Sequence, residues 1–351
     1  MKRLRILVVR RDNIGDLLCT TPLIDTLRAH YPDAEIDALV NSYNAPILEG
    51  NPALNVVHVY TKGKHRAAGQ TALGVVIDTA RLVWRMRRRR YDMIFLPGHA
   101  NRNSHKYARW VRHAHTRVIG FGSLEDKGQN GPVNVPVDST PFRALHEVSK
   151  CQALLTPLGV DDAPGAMRVF ARPAMVALAE QRFADAGVRR DGHLIGLHIS
   201  ARRPLQRWPA ERFIELAHAL YAQDPTARFA LFWSPGASDT LQHPGDDRNA
   251  EAIMNGCRDL PMLALPTRQL PELIGALSLV DSLICSDGGA MHLAAALGKP
   301  IVSLFGDSVS AHWHPWEVPH EVLQPESRDV RDLDAARVCE AHRTLMARVR
   351  A

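Results

Sequence analysis

The chain has 351 residues, 46% hydrophobic and 23% charged, with no low-complexity tract and no fixed-period repeat, which excludes a disordered protein and is too long for a single hydrophobic core. A net charge of +6 is modest, and no apolar stretch approaches the roughly 20 residues of a membrane-spanning helix. Five scattered cysteines, odd in number and without a C-x-x-C pair, argue against a disulfide framework or a zinc site and fit a reducing cytoplasm.

The chain opens on a short apolar run, Ile6 to Val9, closed by Arg10, Arg11 and Asp12, which reads as a first strand rather than a signal peptide. Gly15 then permits a tight turn, and Asp16 falls at or near the start of a helix marked by Leu17, Leu18, Ile24 and Leu27. An aspartate there serves as a plain N-cap or as a reactive carboxylate at the ligand-binding edge of a sheet, and Pro22 either kinks the helix or restarts it. Further strands are predicted at 36–40, 56–60, 93–96 and 117–120, with helical stretches in most gaps, so the first half is a doubly wound α/β domain. Within it Leu73, Val76, Ile77, Ala80, Val83 and Trp84 form a helical apolar stripe. From Arg81 to Arg117 there are eleven Lys or Arg against one acid, Asp92: either a solvated helix end or a surface that meets phosphates of an acceptor or an anionic membrane, with Arg88, Arg89, Arg90 and Arg102 as candidates.

Turn-forming residues between Leu158 and Pro173 break the pattern and place a domain boundary, giving a first domain of residues 1–165, a second of 166–330 and a final helix over 331–351. The second domain repeats the alternation, with strands at 194–199, 228–233, 262–265, 282–285 and 301–305 and helices at about 209–223, 268–280 and 289–297. After the strand at 194–199, Ser200, Arg202, Arg203, Gln206 and Arg207 lie on a strand-to-helix loop whose planar cations suit phosphate oxygens. After the strand at 282–285, Asp287, Gly288 and Gly289 lead onto a helix whose free N–H groups form a diphosphate seat, with His292 one turn in, as ligand contact or packed core residue. Two doubly wound domains facing across a cleft would share one site.

Ile14-Gly15-Asp16 with Thr21-Pro22, then Arg207-Trp208-Pro209, then Ser286-Asp287-Gly288-Gly289-Ala290-Met291-His292 occur in this order over nearly the whole chain. In these segments the chain resembles glycosyltransferase family 9, the ADP-heptose:lipopolysaccharide heptosyltransferases, which have the GT-B fold. The resemblance implies an inverting, metal-independent transfer of heptose to a lipopolysaccharide core or related glycan, with Asp16 as general base, Asp287 to His292 holding the donor nucleotide and diphosphate, and the 200–207 loop neutralising the leaving group. It also implies a ribose-binding acid upstream of the Asp287 strand, for which Asp246 or Asp247 is nearest, and a phosphorylated glycolipid acceptor met at the cytoplasmic face of the inner membrane. No cofactor beyond the nucleotide-sugar and no nucleic-acid partner is expected. Two departures stand out: Gln206 replaces a frequent lysine, and Gly288 a frequent threonine or serine. The competing readings are a GT-B enzyme of another donor or reaction, such as a nucleotide-sugar epimerase, and a non-catalytic nucleotide or glycan binder.

Overall fold

The computed structural model describes residues 3–61, 72–98, 102–123, 125, 131–188, 191–237 and 245–351. The chain divides into two compact units, Met1–Phe170 and Ala171–Ala351.

The first unit is a parallel sheet of β1 (Arg5–Val9), β2 (Glu35–Asn41), β3 (Val56–Tyr60), β4 (Met93–Leu96), β5 (Arg117–Phe121) and β6 (Val135–Val137), in the order β3-β2-β1-β4-β5-β6. Central strands such as β1, Arg-Ile-Leu-Val-Val, are apolar without alternation because helices cover both faces. Its helices are α1 (Ile14–Leu18), α2 (Thr21–His30), α3 (Ala72–Arg89), α4 (Arg102–Val111) and α5 (Glu147–Gln152). Pro22 restarts rather than kinks: α1 ends at Leu18, and α2 begins with proline in its first turn, where no N–H is needed. β6 lies at the sheet edge, where Pro136 removes no interior ladder bond.

The second unit contains α6 (Pro173–Asp185), β7 (Leu194–His198), α7 (Ala210–Gln223), β8 (Arg228–Trp233), α8 (Asp247–Gly256), β9 (Met262–Pro266), α9 (Leu270–Leu277), β10 (Ser282–Ser286), α10 (Gly289–Ala296), β11 (Ile301–Leu304), α11 (Ser310–Trp313), β12 (His320–Leu323) and α12 (Ala335–Arg350). Its parallel sheet runs β12-β11-β10-β7-β8-β9, so both units share one winding: two strands added outward on one side of the first strand, then three on the other. The segment from Val330 is not one helix. A short 3₁₀ turn, Val330–Asp332, precedes α12, whose start is set at Asp334 by a carboxylate accepting from the Arg337 N–H. α12 packs on α7, β11 and β12 and so belongs to the second unit.

At the amino edge of this sheet the buried Ser282 hydroxyl bridges two imidazoles, 3.0 Å from His193 Nε2 and 2.9 Å from His342 Nε2. Burial, with His193 and Arg350 nearby, pushes His342 down to about 4, and burial also lowers His193. Both folded values lie below the unfolded value of about 6.5, so the unfolded chain takes up protons that the folded unit refuses. The stability contributed by neutral His342 is complete above pH 6.5 and is lost as pH falls toward 4, up to about 3 kcal/mol. The second unit should therefore unfold at lower urea at pH 5 than at pH 7, and His342→Gln should flatten that dependence. A midpoint that is equal at the two pH values would contradict this.

Candidate functional site

In a doubly wound sheet the loops diverge where the strand order reverses, opening a crevice at the carboxyl ends of the strands. In the first unit that point lies between β1 and β4. The loop after β1 is held by side-chain amides: Asn41 donates to the Arg11 and Asp12 carbonyls at 3.1 and 3.2 Å, and Asn44 to the Asp12 carbonyl at 3.3 Å. From β4 the chain passes so close that a Cβ on Gly98 would stand 2.9 Å from the Asp12 carboxylate.

Asp16 occupies the third position of α1 and forms a capping box with Asn13, its Oδ2 accepting from the Asn13 N–H at 3.1 Å. Its Oδ1 accepts from Arg10 Nη2 at 2.8 Å. The Arg10 guanidinium, 2% exposed, also pairs with Glu147 at 2.9 Å and with Asp12 at 3.1 Å, and its Nη1 lies 3.6 Å from the Cys151 sulfur. Three carboxylates, two from the β1–α1 segment and one from α5, thus converge on one buried cation. The Cys151 thiol, pushed up to about 12 by burial, is neutral beside them. Each Asp16 oxygen accepts one bond and keeps a lone pair, and the side chain is 18% exposed, so the carboxylate is fixed in orientation and reachable. The N-cap is thus Asn13, and Asp16 is the third-position member of its capping box, with a carboxylate that stays partly exposed.

In the second unit the reversal lies between β7 and β10, and it brings two predicted segments together. Gln206, 5% exposed on a 3₁₀ turn, donates from Nε2 to Asp287 Oδ2 at 2.9 Å, and the Ser308 hydroxyl donates to the same oxygen at 2.6 Å. Gly306, after β11, lets that strand approach the loop; a Cβ there would lie 2.3 Å from the Leu205 carbonyl. The amide at Gln206 thus anchors the loop to Asp287. At Gly288 the backbone is extended (φ 165°, ψ −170°) and no side chain caps α10, so the first N–H groups of that helix face outward. A Cβ at Gly288 would meet nothing nearer than the Ser286 carbonyl at 4.0 Å.

The three arginines of the loop separate in role. Arg207 donates to the Ala201 carbonyl at 2.8 Å and pairs with Asp246, making it an internal strut. Arg202 and Arg203 are exposed, the latter 3.3 Å from Asp307. Asp246 is buried and also accepts from Asn249 and Ser200; burial raises its carboxyl, while Ser200 and Arg207 pull it back. Asp247 accepts from the Trp233 indole at 2.7 Å and the Gly236 N–H at 2.9 Å. Asp247 and Oδ1 of Asp246 are thus committed within the protein, and contact of these oxygens with a ribose would require exchanging their bonds. His292 is 3% exposed and packs edge-on against Trp313, the packed-core alternative foreseen for it.

Of the candidate acceptor-side patch, Arg88, Arg89 and Arg90 lie away from Asp16. α3 leads into β4, so its last turn lies at the amino edge of the sheet, opposite Asp16. Arg89 turns inward, donating to both oxygens of buried Asp37 at 2.9 and 3.0 Å. Burial alone would raise the Asp37 carboxyl, but bonds from His58 and Tyr91 and the Arg89 charge hold it low. Arg88 lies over the Trp84 ring, and Arg90, with φ 55°, ends the helix. The Arg102 side chain lies outside the described residues. Arg10, Glu147 and Ser308 were not foreseen; for Ser308, the Gly306-Asp307-Ser308 turn at the end of a strand was a readable signal.

The profile of Glycosyltransferase family 9 (heptosyltransferase) matches residues 79–338, which include the arginine loop and the Asp287 segment. Lipopolysaccharide heptosyltransferase 3 of Escherichia coli is 26% identical over 324 residues, 91% of this chain and 88% of that protein. Lipopolysaccharide heptosyltransferase 2 of Salmonella typhimurium is 26% identical over 311 residues, 87% and 83% of the two chains. Among solved structures, the glycosyl transferase family 9 protein of Veillonella parvula superposes with a TM-score of 0.81 at 19% identity, covering 98% of this chain and 97% of that one. E. coli heptosyltransferase WaaC, solved with ADP, superposes at 0.74 and 19% identity, covering 97% and 100%. The two doubly wound units are those of the GT-B class, and the chain belongs to glycosyltransferase family 9, the heptosyltransferases, and is a glycosyltransferase.

Proposed function

We propose that the protein transfers heptose from ADP-heptose to a lipopolysaccharide core or a related phosphorylated glycan, by direct displacement with inversion and without a metal ion. The observation that carries this reading is the uncapped N-terminus of α10 beside the Arg202-Arg203 loop, which together offer oriented N–H groups and two exposed cations to a diphosphate. The names of the relatives, heptosyltransferases acting on lipopolysaccharide, and a neighbour solved with ADP support the donor and acceptor. In the reaction the acceptor oxygen attacks the anomeric carbon, its proton passes to the Asp16 carboxylate, and the bond to the diphosphate oxygen breaks. The charge left on ADP is met by the α10 amides with Arg202 and Arg203. The five free, buried cysteines accord with a cytoplasmic setting.

Calorimetric titration with ADP and UDP tests the donor half. ADP should bind more tightly than UDP, and Asp287→Ala, which frees Gln206 and slackens the loop, should weaken ADP at least about tenfold. Gly288→Ser meets no steric obstacle and restores a hydroxyl beside the phosphates, so it should tighten ADP about two- to tenfold, the range of one net hydrogen bond. Identical affinity for both nucleotides in wild type and both variants would remove the proposed seat.

A further inference from the structure

The diphosphate seat has an aromatic neighbour. β11 ends at Leu304, and the turn Gly306-Asp307-Ser308 carries the chain into α11, whose last residue is Trp313. Hydrogen bonds fix this segment against the seat. The Ser308 hydroxyl donates to Asp287 at 2.6 Å, the Gln324 amide donates to the Gly306 and Ser308 carbonyls at 2.8 and 2.9 Å, and the Ser310 hydroxyl donates to Gln324 Oε1 at 3.0 Å. Past α11, His314 stacks on Trp316 and on His320, with ring centres 6.1 and 5.3 Å apart. Trp313 is therefore held from both sides, and its ring centre lies 6.0 Å from that of His292, the fourth residue of α10. His292 is buried, whereas Trp313 keeps part of its surface exposed.

The order of the strands decides which part of a nucleotide-sugar meets this ring. The candidate ribose acids Asp246 and Asp247 follow β8, the seat at Asp287 follows β10, and Trp313 follows β11. In the order β12-β11-β10-β7-β8-β9, the ends of β8 and β11 lie on opposite sides of the seat. A ligand with its nucleoside toward β8 and its diphosphate on α10 therefore carries its sugar toward β11. Adenine also stacks on an indole, but at about 4.8 Å per strand the end of β8 is roughly 14 Å from that of β11, so the base is out of reach. The sugar suits the ring chemically as well. A pyranose has one face of C–H groups, polarised by the neighbouring oxygens, and these meet the negative face of an indole favourably.

We propose that Trp313 is the platform for the donor's sugar, its indole packing against the C–H face of the pyranose while α10 holds the diphosphate. The inference rests on the nucleotide-sugar reading of this site. Calorimetric titration of the full chain tests it, comparing ADP-heptose, ADP-glucose and ADP in wild type, Trp313→Leu and Trp313→Phe, with melting temperatures to verify the fold. Trp313→Leu keeps apolar bulk and loses the flat face, so ADP-heptose should weaken about three- to tenfold, the range of one aromatic contact, while ADP stays within about twofold. Trp313→Phe keeps a smaller flat ring and should weaken ADP-heptose by no more than about threefold. In transfer assays the donor KM of Trp313→Leu should rise while inhibition by ADP is unchanged. Equal weakening of ADP and ADP-heptose would make Trp313 a support for the nucleotide or for His292, and unchanged affinity for both would leave the ring without a ligand; either result overturns the platform. So does a loss in Trp313→Phe as large as that in Trp313→Leu. Tighter binding of ADP-glucose than of ADP-heptose by wild type would overturn the heptose donor alone, and the Trp313→Leu loss measured with ADP-glucose against ADP then decides the platform. Wild type that binds none of the three would remove the seat and the platform together.

Discussion

Asp16→Asn should lower turnover by about 10²- to 10⁴-fold while leaving nucleotide affinity unchanged, because the amide keeps the shape of the carboxylate and cannot take the proton of the attacking hydroxyl. The variant should remain folded, since Arg10 retains Glu147 and Asp12 as partners and the amide oxygen can still accept the Asn13 N–H. Steady-state transfer assays together with ADP titration separate the two effects. Transfer within about threefold of wild type would reduce Asp16 to its capping role, since loss of a cap costs only about 1 kcal/mol of stability and none of the chemistry.

Arg10→Met carries the second large effect. The substitution leaves Glu147 and the partly covered Asp16 and Asp12 carboxylates around a position that is 2% exposed, with no cation to offset their desolvation. Breaking a buried pair from one side costs about 3–5 kcal/mol, which for a unit of this size corresponds to a fall in melting temperature of about 6–20 °C. Glu147→Gln, which keeps two of the three ion pairs, should cost less. Scanning calorimetry reads both; an unchanged first-unit transition in Arg10→Met would show that the carboxylates find other partners. Should Arg10→Met hold its fold at low temperature, its turnover should still fall, because only the Asn13 N–H then holds the Asp16 carboxylate.

The alternation of strands and helices was legible because central parallel strands are buried on both faces and carry uninterrupted apolar runs, as in Phe229 to Trp233 of β8. Two of the four edge strands lacked that signal: β6 contains Pro136, and β12 begins His320-Glu321. α8 was missed because only Ala250 and Ile253 of its ten residues are buried, too thin a stripe to stand out. Asp16, Asp287 and the arginine loop were readable because each follows a strand directly. What each side chain touches was not, since ion pairs join residues with no mark in the intervening sequence: Arg10 meets Glu147 from 137 positions away, and Arg89 meets Asp37 from 52. The α3 stripe marked a helix correctly, yet Val76, Ile77 and Trp84 of it are exposed. Amphipathic spacing identifies the apolar face of a helix but not what that face covers.

The central claim is tested most directly by following one turnover by proton NMR, with purified protein, ADP-heptose, a lipopolysaccharide-core acceptor and a chelator. The account predicts that ADP and heptosylated acceptor appear in equal amounts, with the new linkage in the anomeric configuration opposite to that of the donor. ADP formed without modification of the acceptor, a linkage of retained configuration, or transfer abolished by the chelator would contradict it.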